Sequence, residues 1–382
     1  MTLCCFGAVA LAFCGFLSHA NNALVNGVAL PLWRAPALET ATVILSLAGL
    51  ALLSFAAHVK ARSFATLLVG TALLWACLSG AGRLADQLAQ TGSPAARISL
   101  GAAFWVLLAV AFLAMLDAAQ RANLSLSAQI GLGAALAGGF ALMAQARSFS
   151  NLALAREFFD HRAIFMRELG RHLSLVGAAI FFALLVSIPL TAIVVRRRPA
   201  RGVVFAVLGV VQTIPSIALF GVLIAPLSAL SAHWPVLGSL GIDGIGAAPA
   251  IIALTLYSLP PLVRSFYTGF AEVAEDVKDA AIGMGFDARA LFLSVELPLA
   301  LPALISGLRV VAIQAIGLAA VAALIGAGGL GVFVFQGIGQ YALELVLLGA
   351  IPIILLALAA DFLFQMLLAA ARRSLSSAEL LR

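Results

Sequence analysis

Side chains able to do covalent or metal chemistry are sparse in this chain of 382 residues, and their spacing excludes most of it. The five histidines (His19, His58, His161, His172 and His233) include no pair four residues apart, so no helix presents two imidazoles to one metal. Neither an H-E-x-x-H nor a G-x-S-x-G pattern occurs. Cys4, Cys5, Cys14 and Cys77 lie in apolar stretches without metal spacing and read as small core hydrophobes. No GxxxxGK[ST] phosphate loop is present, and neither Lys60 nor Lys278 follows a glycine-rich turn. The chain therefore carries no nucleotide-binding motif of that kind, and we assign it no catalytic residue, no metal and no bound cofactor.

One segment is dense in charge. Residues 264–298 run RSFYTGFAEVAEDVKDAAIGMGFDARALFLSVELP. Val273, Val277, Ala280, Ala281 and Met284 recur at spacings of three or four and form a helical stripe; Glu272, Glu275, Asp276, Lys278 and Asp279 fill the other positions. Gly283 and Gly285 interrupt that helix and permit a tight turn. A second short helix, about 287–295, stops at Pro298. Two short helices meeting at glycine make an elbow that suits insertion into a groove on a partner protein.

Polar groups inside apolar windows are few. Gln212, Thr213, Pro215, Ser216, Tyr257, Ser258 and Gln314 are candidates to line a pathway, with a structural role the competing reading. Pro215 removes a backbone hydrogen bond and frees a carbonyl in mid-span. Arg309 and Asp361 are costly in hydrocarbon, so they read as structural, paired across helices or placed near the cytoplasmic ends. Glu39 and Asp117 lie near span ends, where carboxylates reach the headgroups. The run Gly326–Gly331 reads as a turn or gate near the outer end of a span.

The elements that position these residues follow from composition. Hydrophobic residues make up 63% of the chain and charged residues 10%, against about 25% charged in soluble domains. Mean hydropathy is +1.13. That excludes a soluble enzyme, a disordered chain and a disulfide scaffold, and predicts an all-α polytopic membrane protein. About ten spans are predicted: one within 2–33, then 40–59, 63–82, 98–116, 122–146, 172–195, one near 203–228, then 244–263, 299–325 and 342–370. With both termini cytoplasmic, 13 cations fall inside and eight outside, and the Arg196–Arg198 cluster lies inside as the positive-inside rule requires. The cations lie between spans rather than on one face, so no nucleic-acid partner is expected. Ser18-His19-Ala20 has the small-x-small form of a signal-peptidase site, but no Lys or Arg precedes the apolar run, so the first span reads as retained.

The halves differ in texture. Residues 1–146 read as a hydrophobic region of five spans with few internal polar groups. Residues 147–171 interleave aromatic and aliphatic residues with five arginines and read as an amphipathic periplasmic linker. Residues 172–382 hold the remaining spans and the elbow.

The elbow resembles a family pattern. The cytoplasmic loop of bacterial ABC importer permeases reads Glu-Ala-Ala, three residues, Gly, nine residues, Ile, one residue, Leu-Pro. Here Asp279-Ala280-Ala281, Gly285, Val295 and Leu297-Pro298 keep every spacing, with Asp for Glu and Val for Ile. Gln212-Thr213-Ile214-Pro215-Ser216, Leu256 to Arg264, and Ile325 to Gly331 resemble the osmoprotectant subgroup, which takes glycine betaine, carnitine or choline. The resemblance covers about 165–375; the five leading spans make the whole chain similar to the YehY-like type. It implies a MetI-like permease fold in the C-terminal half, in a bacterial inner membrane. It further implies two ATPase subunits that use ATP and grip the loop 264–298, a periplasmic substrate-binding protein, and a second permease chain, identical or related. Permeases for amino acids or anions remain the nearest alternative. An ion-coupled transporter would need inverted repeats and intramembrane carboxylates; the halves share no motif, and acids in mid-span are nearly absent.

Overall fold

The computed structural model describes all residues except 1, 22–26, 56–59, 92, 94–95, 240 and 381–382. The chain divides into two compact units, Met1–Asp160 and His161–Arg382.

The first unit contains α1 (Thr2–Phe13), β1 (Leu17–Ala20), β2 (Val28–Leu30), α2 (Ala37–Phe55), α3 (Lys60–Thr91), β3 (Arg97–Leu100), α4 (Ala102–Arg121), α5 (Leu126–Gln145) and α6 (Ala153–Asp160). The strands form an antiparallel sheet in the order β2-β1-β3, with Leu17 opposite both Leu30 and Leu100. The sheet brings the approaches to α2 and α4 to one end of this unit. Its core joins Phe16 and Leu17 to Val43, Leu73, Ile98, Phe104 and Leu107 from the surrounding elements. Phe16 meets Phe104 edge to face at 5.8 Å.

Here the sequence reading needs correction. The span within 2–33 is a 12-residue helix followed by two strands. At 1.5 Å per residue α1 is about 18 Å long, short of the ~30 Å hydrocarbon core. Ser18, His19 and Ala20 belong to the central strand. Nine helical segments, rather than ten, are long and apolar enough to cross a membrane among the described residues. The 147–171 stretch also divides: residues 147–152 turn, α6 follows, and 162–171 are the first turns of the next helix.

The second unit comprises α7 (Arg162–Arg196), α8 (Arg198–Thr213), α9 (Ser216–His233), α10 (Pro235–Ser239), α11 (Ala247–Ala271), α12 (Glu275–Gly283), α13 (Ala288–Leu291), α14 (Leu297–Ala319), α15 (Gly331–Gly339) and α16 (Leu343–Leu380). A π-helical turn, Phe292–Glu296, leads into α14, and a 3-10 turn, Val321–Ile325, leaves it. Helix α11 packs on α7 and α14, and α14 packs on α16. The contacts are made by small residues: Ala179, Ala250, Ala253, Ala315 and Ala319 are fully or almost fully buried. Lipid tails are as apolar as leucine, so close backbone approach through small side chains is what favours helix on helix in a bilayer.

The span near 203–228 is two helices. Ile214 is extended (φ −73°, ψ 125°), and Pro215 caps α9. A proline disfavours helical geometry in the residue before it and supplies no N–H of its own, so α8 cannot run on into α9.

Candidate functional site

The elbow is built by local chemistry. Glu275 and Asp276 occupy the first turn of α12, where the helix dipole favours carboxylates. Its end is a Schellman turn: Phe286 N–H donates to the Ala281 carbonyl at 3.1 Å and Gly285 N–H to the Ile282 carbonyl at 2.9 Å. That turn requires a left-handed residue, and Gly285 supplies it at φ +87° with open space around the position of a Cβ. Asp287 then starts α13, its carboxylate accepting from Ala290 N–H at 2.6 Å. Lys278 lies 3.2 Å from Glu275 and 3.8 Å from Glu296, tying α12 to the π-helical turn. Phe270 stacks on Phe292 at 5.8 Å. Val295, Leu297 and Pro298 are half-buried where the elbow returns to α14.

The helical stripe read from the spacing splits in space. Val273 and Ala281 are buried and anchor the elbow, while Val277, Ala280 and Met284 are exposed. Ile282, Phe292 and Leu293 are exposed as well, and Asp276 and Asp279 stand exposed on the same helix as Val277 and Ile282. The segment thus presents apolar side chains with carboxylates among them.

The pathway candidates fall into two environments. Gln212, Thr213 and Pro215 are exposed around the α8–α9 break, and Ser216 is half-buried beside them. Thr213 Oγ1 donates to the Val210 carbonyl at 2.7 Å. Tyr257 and Ser258 are buried on α11. The Tyr257 hydroxyl donates to the Ile214 carbonyl, the group beside the proline that α8 leaves unpaired. Ser258 Oγ donates to the Leu254 carbonyl at 2.7 Å. Gln314 is half-buried on α14. The geometry brings Tyr257 to the break, where Gln212, Thr213, Pro215 and Ser216 already lie.

Sequence spacing alone missed a clasp on the glycine loop. Glu168, Arg171 and His172 lie within one turn of α7. Gly329 N–H donates to Glu168 Oε2 at 2.8 Å, and Arg171 Nε donates to the Ala327 carbonyl at 2.6 Å. His172, fully buried, places Nε2 3.1 Å from the Ile316 carbonyl; a carbonyl only accepts, so Nε2 holds the proton. Gly326, Gly328 and Gly329 are left-handed (φ +75°, +79° and +89°). A Cβ on Gly328 would stand 2.9 Å from Glu168 Oε2. The loop read as a turn or gate is a turn of left-handed glycines bonded to α7. Bonds across 156 and 161 residues leave no local signature. The one clue was a Glu and an Arg three residues apart at the head of an apolar helix.

Arg309 and Asp361 pair across α14 and α16 at 2.6 Å, and Gln365 donates to the second oxygen of Asp361 at 2.6 Å. Two intramembrane charges are thereby compensated. Among the described residues, no group of three His, Cys, Asp or Glu side chains could hold a metal ion.

A family model described as the binding-protein-dependent transport system inner membrane component matches residues 176–373, and one described as the N-terminal domain of ABC transporter permease YehY matches residues 1–155. The chain belongs to the binding-protein-dependent inner membrane component family, the membrane-spanning permeases of ABC transporters. It is 37% identical over 197 residues to the osmoprotectant import permease protein OsmW of Salmonella typhimurium, covering 52% of this chain and 86% of that protein. It is 33% identical over 211 residues to the choline transport system permease protein OpuBB of Bacillus subtilis, covering 55% and 88%. The inward-facing MetNI methionine ABC transporter is similar over 56% of this chain and 98% of its own, at 22% identity and a TM-score of 0.48.

Proposed function

We propose that this permease imports compatible solutes of the quaternary ammonium class, such as glycine betaine, choline or carnitine, driven by ATP hydrolysis in separate subunits. The observation that carries the coupling part is the elbow 272–298. It leaves Val277, Ile282 and Met284 exposed among carboxylates, on a turn fixed by Gly285. A face of that kind suits a groove on an ATPase subunit. The substrate part is supported by likeness to osmoprotectant and choline permeases.

In this reading two permease chains, identical or related, enclose one pathway, and a periplasmic binding protein delivers solute to its outer mouth. ATP binding draws two ATPase subunits together. Each pulls an elbow; Lys278 and the Phe270–Phe292 stack pass the displacement to α14 and α11. Access then changes side, because ATP binding favours one of two states by its differential affinity. The pathway residues are drawn from Gln212, Thr213, Pro215, Ser216, Tyr257, Ser258 and Gln314. The C-terminus, the α7–α8 junction and the elbow lie in the cytoplasm; the sheet and the glycine loop face outward.

The test is uptake of radiolabelled glycine betaine by cells lacking other importers, with the chain co-expressed with its ATPase and binding protein. ATP-dependent accumulation is expected. A stable complex with the ATPase that accumulates neither glycine betaine nor choline would overturn the substrate class and keep the importer.

A further inference from the structure

We propose that the corner where α7 passes into α8 binds the headgroup of an anionic phospholipid. Arg196, Arg197, Arg198 and Arg201 stand there within six residues. No Asp or Glu occurs from residue 169 to residue 242, so the surrounding sequence offers nothing to offset them.

The corner leaves these cations open. Arg197 is extended (φ −118°, ψ 91°), closing α7 and opening α8. Its N–H donates to the Ile193 carbonyl at 2.8 Å, and its carbonyl accepts from Ala200 N–H at 3.0 Å. Arg196, Arg197 and Arg198 are exposed, and among the described residues none of them pairs with a carboxylate. Arg201 is half-buried, its guanidinium 4.5 Å from the centroid of the Tyr267 ring, against which Phe205 packs edge-on at 5.6 Å. Like charges on consecutive residues repel one another. A bound anion relieves that repulsion. Phosphate suits it best, because the planar guanidinium fork donates two N–H bonds to one phosphate group.

The apolar side chains beside the corner identify a lipid as the bearer of that phosphate. Helix α7 is long and apolar enough to cross a membrane, and the arginines stand where its apolar run ends. Phe181, Leu185, Ile188, Ala192 and Val195 recur at spacings of three or four and are all exposed, so they form one stripe that leads to Arg196. From Phe181 to Val195 that stripe runs about 21 Å, more than half of the ~30 Å hydrocarbon core. A free phosphate would leave the stripe unused. A phospholipid uses both features, its acyl chain along the stripe and its phosphate at the corner. Basic clusters directly beside a membrane span draw anionic lipids in this way. Such a site needs only a membrane and is independent of the solute carried.

The test is native mass spectrometry of the full chain in detergent, titrated with phosphatidylglycerol or with phosphatidylcholine of the same acyl chains. Saturable retention of phosphatidylglycerol over phosphatidylcholine is expected. Replacing Arg196, Arg197 and Arg198 together by Gln is expected to weaken that retention by about ten-fold or more. Arg197→Gln alone serves as the second variant, because it removes one exposed side chain and keeps every backbone bond of the corner; a smaller fall in the same direction is expected. Equal retention of the two lipids by the unchanged chain, or retention of phosphatidylglycerol undiminished in both variants, would overturn the proposal. Undiminished lipid retention with loss of the copurifying ATPase would overturn it in favour of a protein contact.

Discussion

At Gly285 the left-handed backbone of the elbow rests on one residue. Any side chain there finds open space, so a substitution is felt through backbone conformation alone. A β-branched residue in this region costs on the order of 1–3 kcal/mol, and asparagine far less. Gly285→Val is therefore expected to abolish uptake while the protein stays in the membrane, and Gly285→Asn to keep most of it. Uptake assays beside immunoblots of membrane fractions check both. Asp279→Lys reverses an exposed charge on α12 and is expected to weaken copurification with the ATPase; an unchanged complex would mean that Asp279 is merely solvated. Tyr257→Phe leaves the Ile214 carbonyl unpaired beside Pro215. A loss of about 1–3 kcal/mol is expected, read by unfolding of the purified chain in detergent.

Among the elements, the clasp ties α7 to the glycine loop and the Arg309–Asp361 pair ties α14 to α16. Glu168→Ala removes the acceptor of Gly329 N–H, so hydrogen exchange around residues 327–331 is expected to rise without loss of the helices. Unchanged exchange would mean that the left-handed glycines hold the turn unaided. Replacing Arg309 alone leaves Asp361 partly buried without its cation. Arg309→Met is therefore expected to lower the yield of folded protein more than the double change Arg309→Met with Asp361→Leu, because breaking an ion pair costs more than replacing it. Size-exclusion profiles of the two variants make the comparison.

Taken whole, the molecule shows how far a membrane chain can be read from its residues. Hydropathy located α2 to α5, α7, α11, α14 and α16, because each must satisfy its backbone internally over a bilayer's width. The elbow was legible because caps, glycines and charge act within a few residues of one another. The sheet was not: β1 and β2 are four and three residues long and lie in an apolar window that reads as a span. Nor was the division of α8 from α9, although Pro215 marked its place; proline breaks one helix here and is carried inside α7, α11, α14 and α16, where packing decides. The clasp depends on contacts between distant segments, which no local pattern encodes.

In the proposed mechanism this permease couples ATP hydrolysis in separate subunits to solute entry through the elbow at Gly285. The most direct measurement is glycine betaine uptake into proteoliposomes that hold the chain, its ATPase and its binding protein, with ATPase rate followed in parallel. ATP-dependent uptake by the unchanged chain is expected. In Gly285→Val, uptake is expected to vanish and the ATPase rate to lose its response to the loaded binding protein. Uptake by Gly285→Val at the unchanged rate would contradict that mechanism.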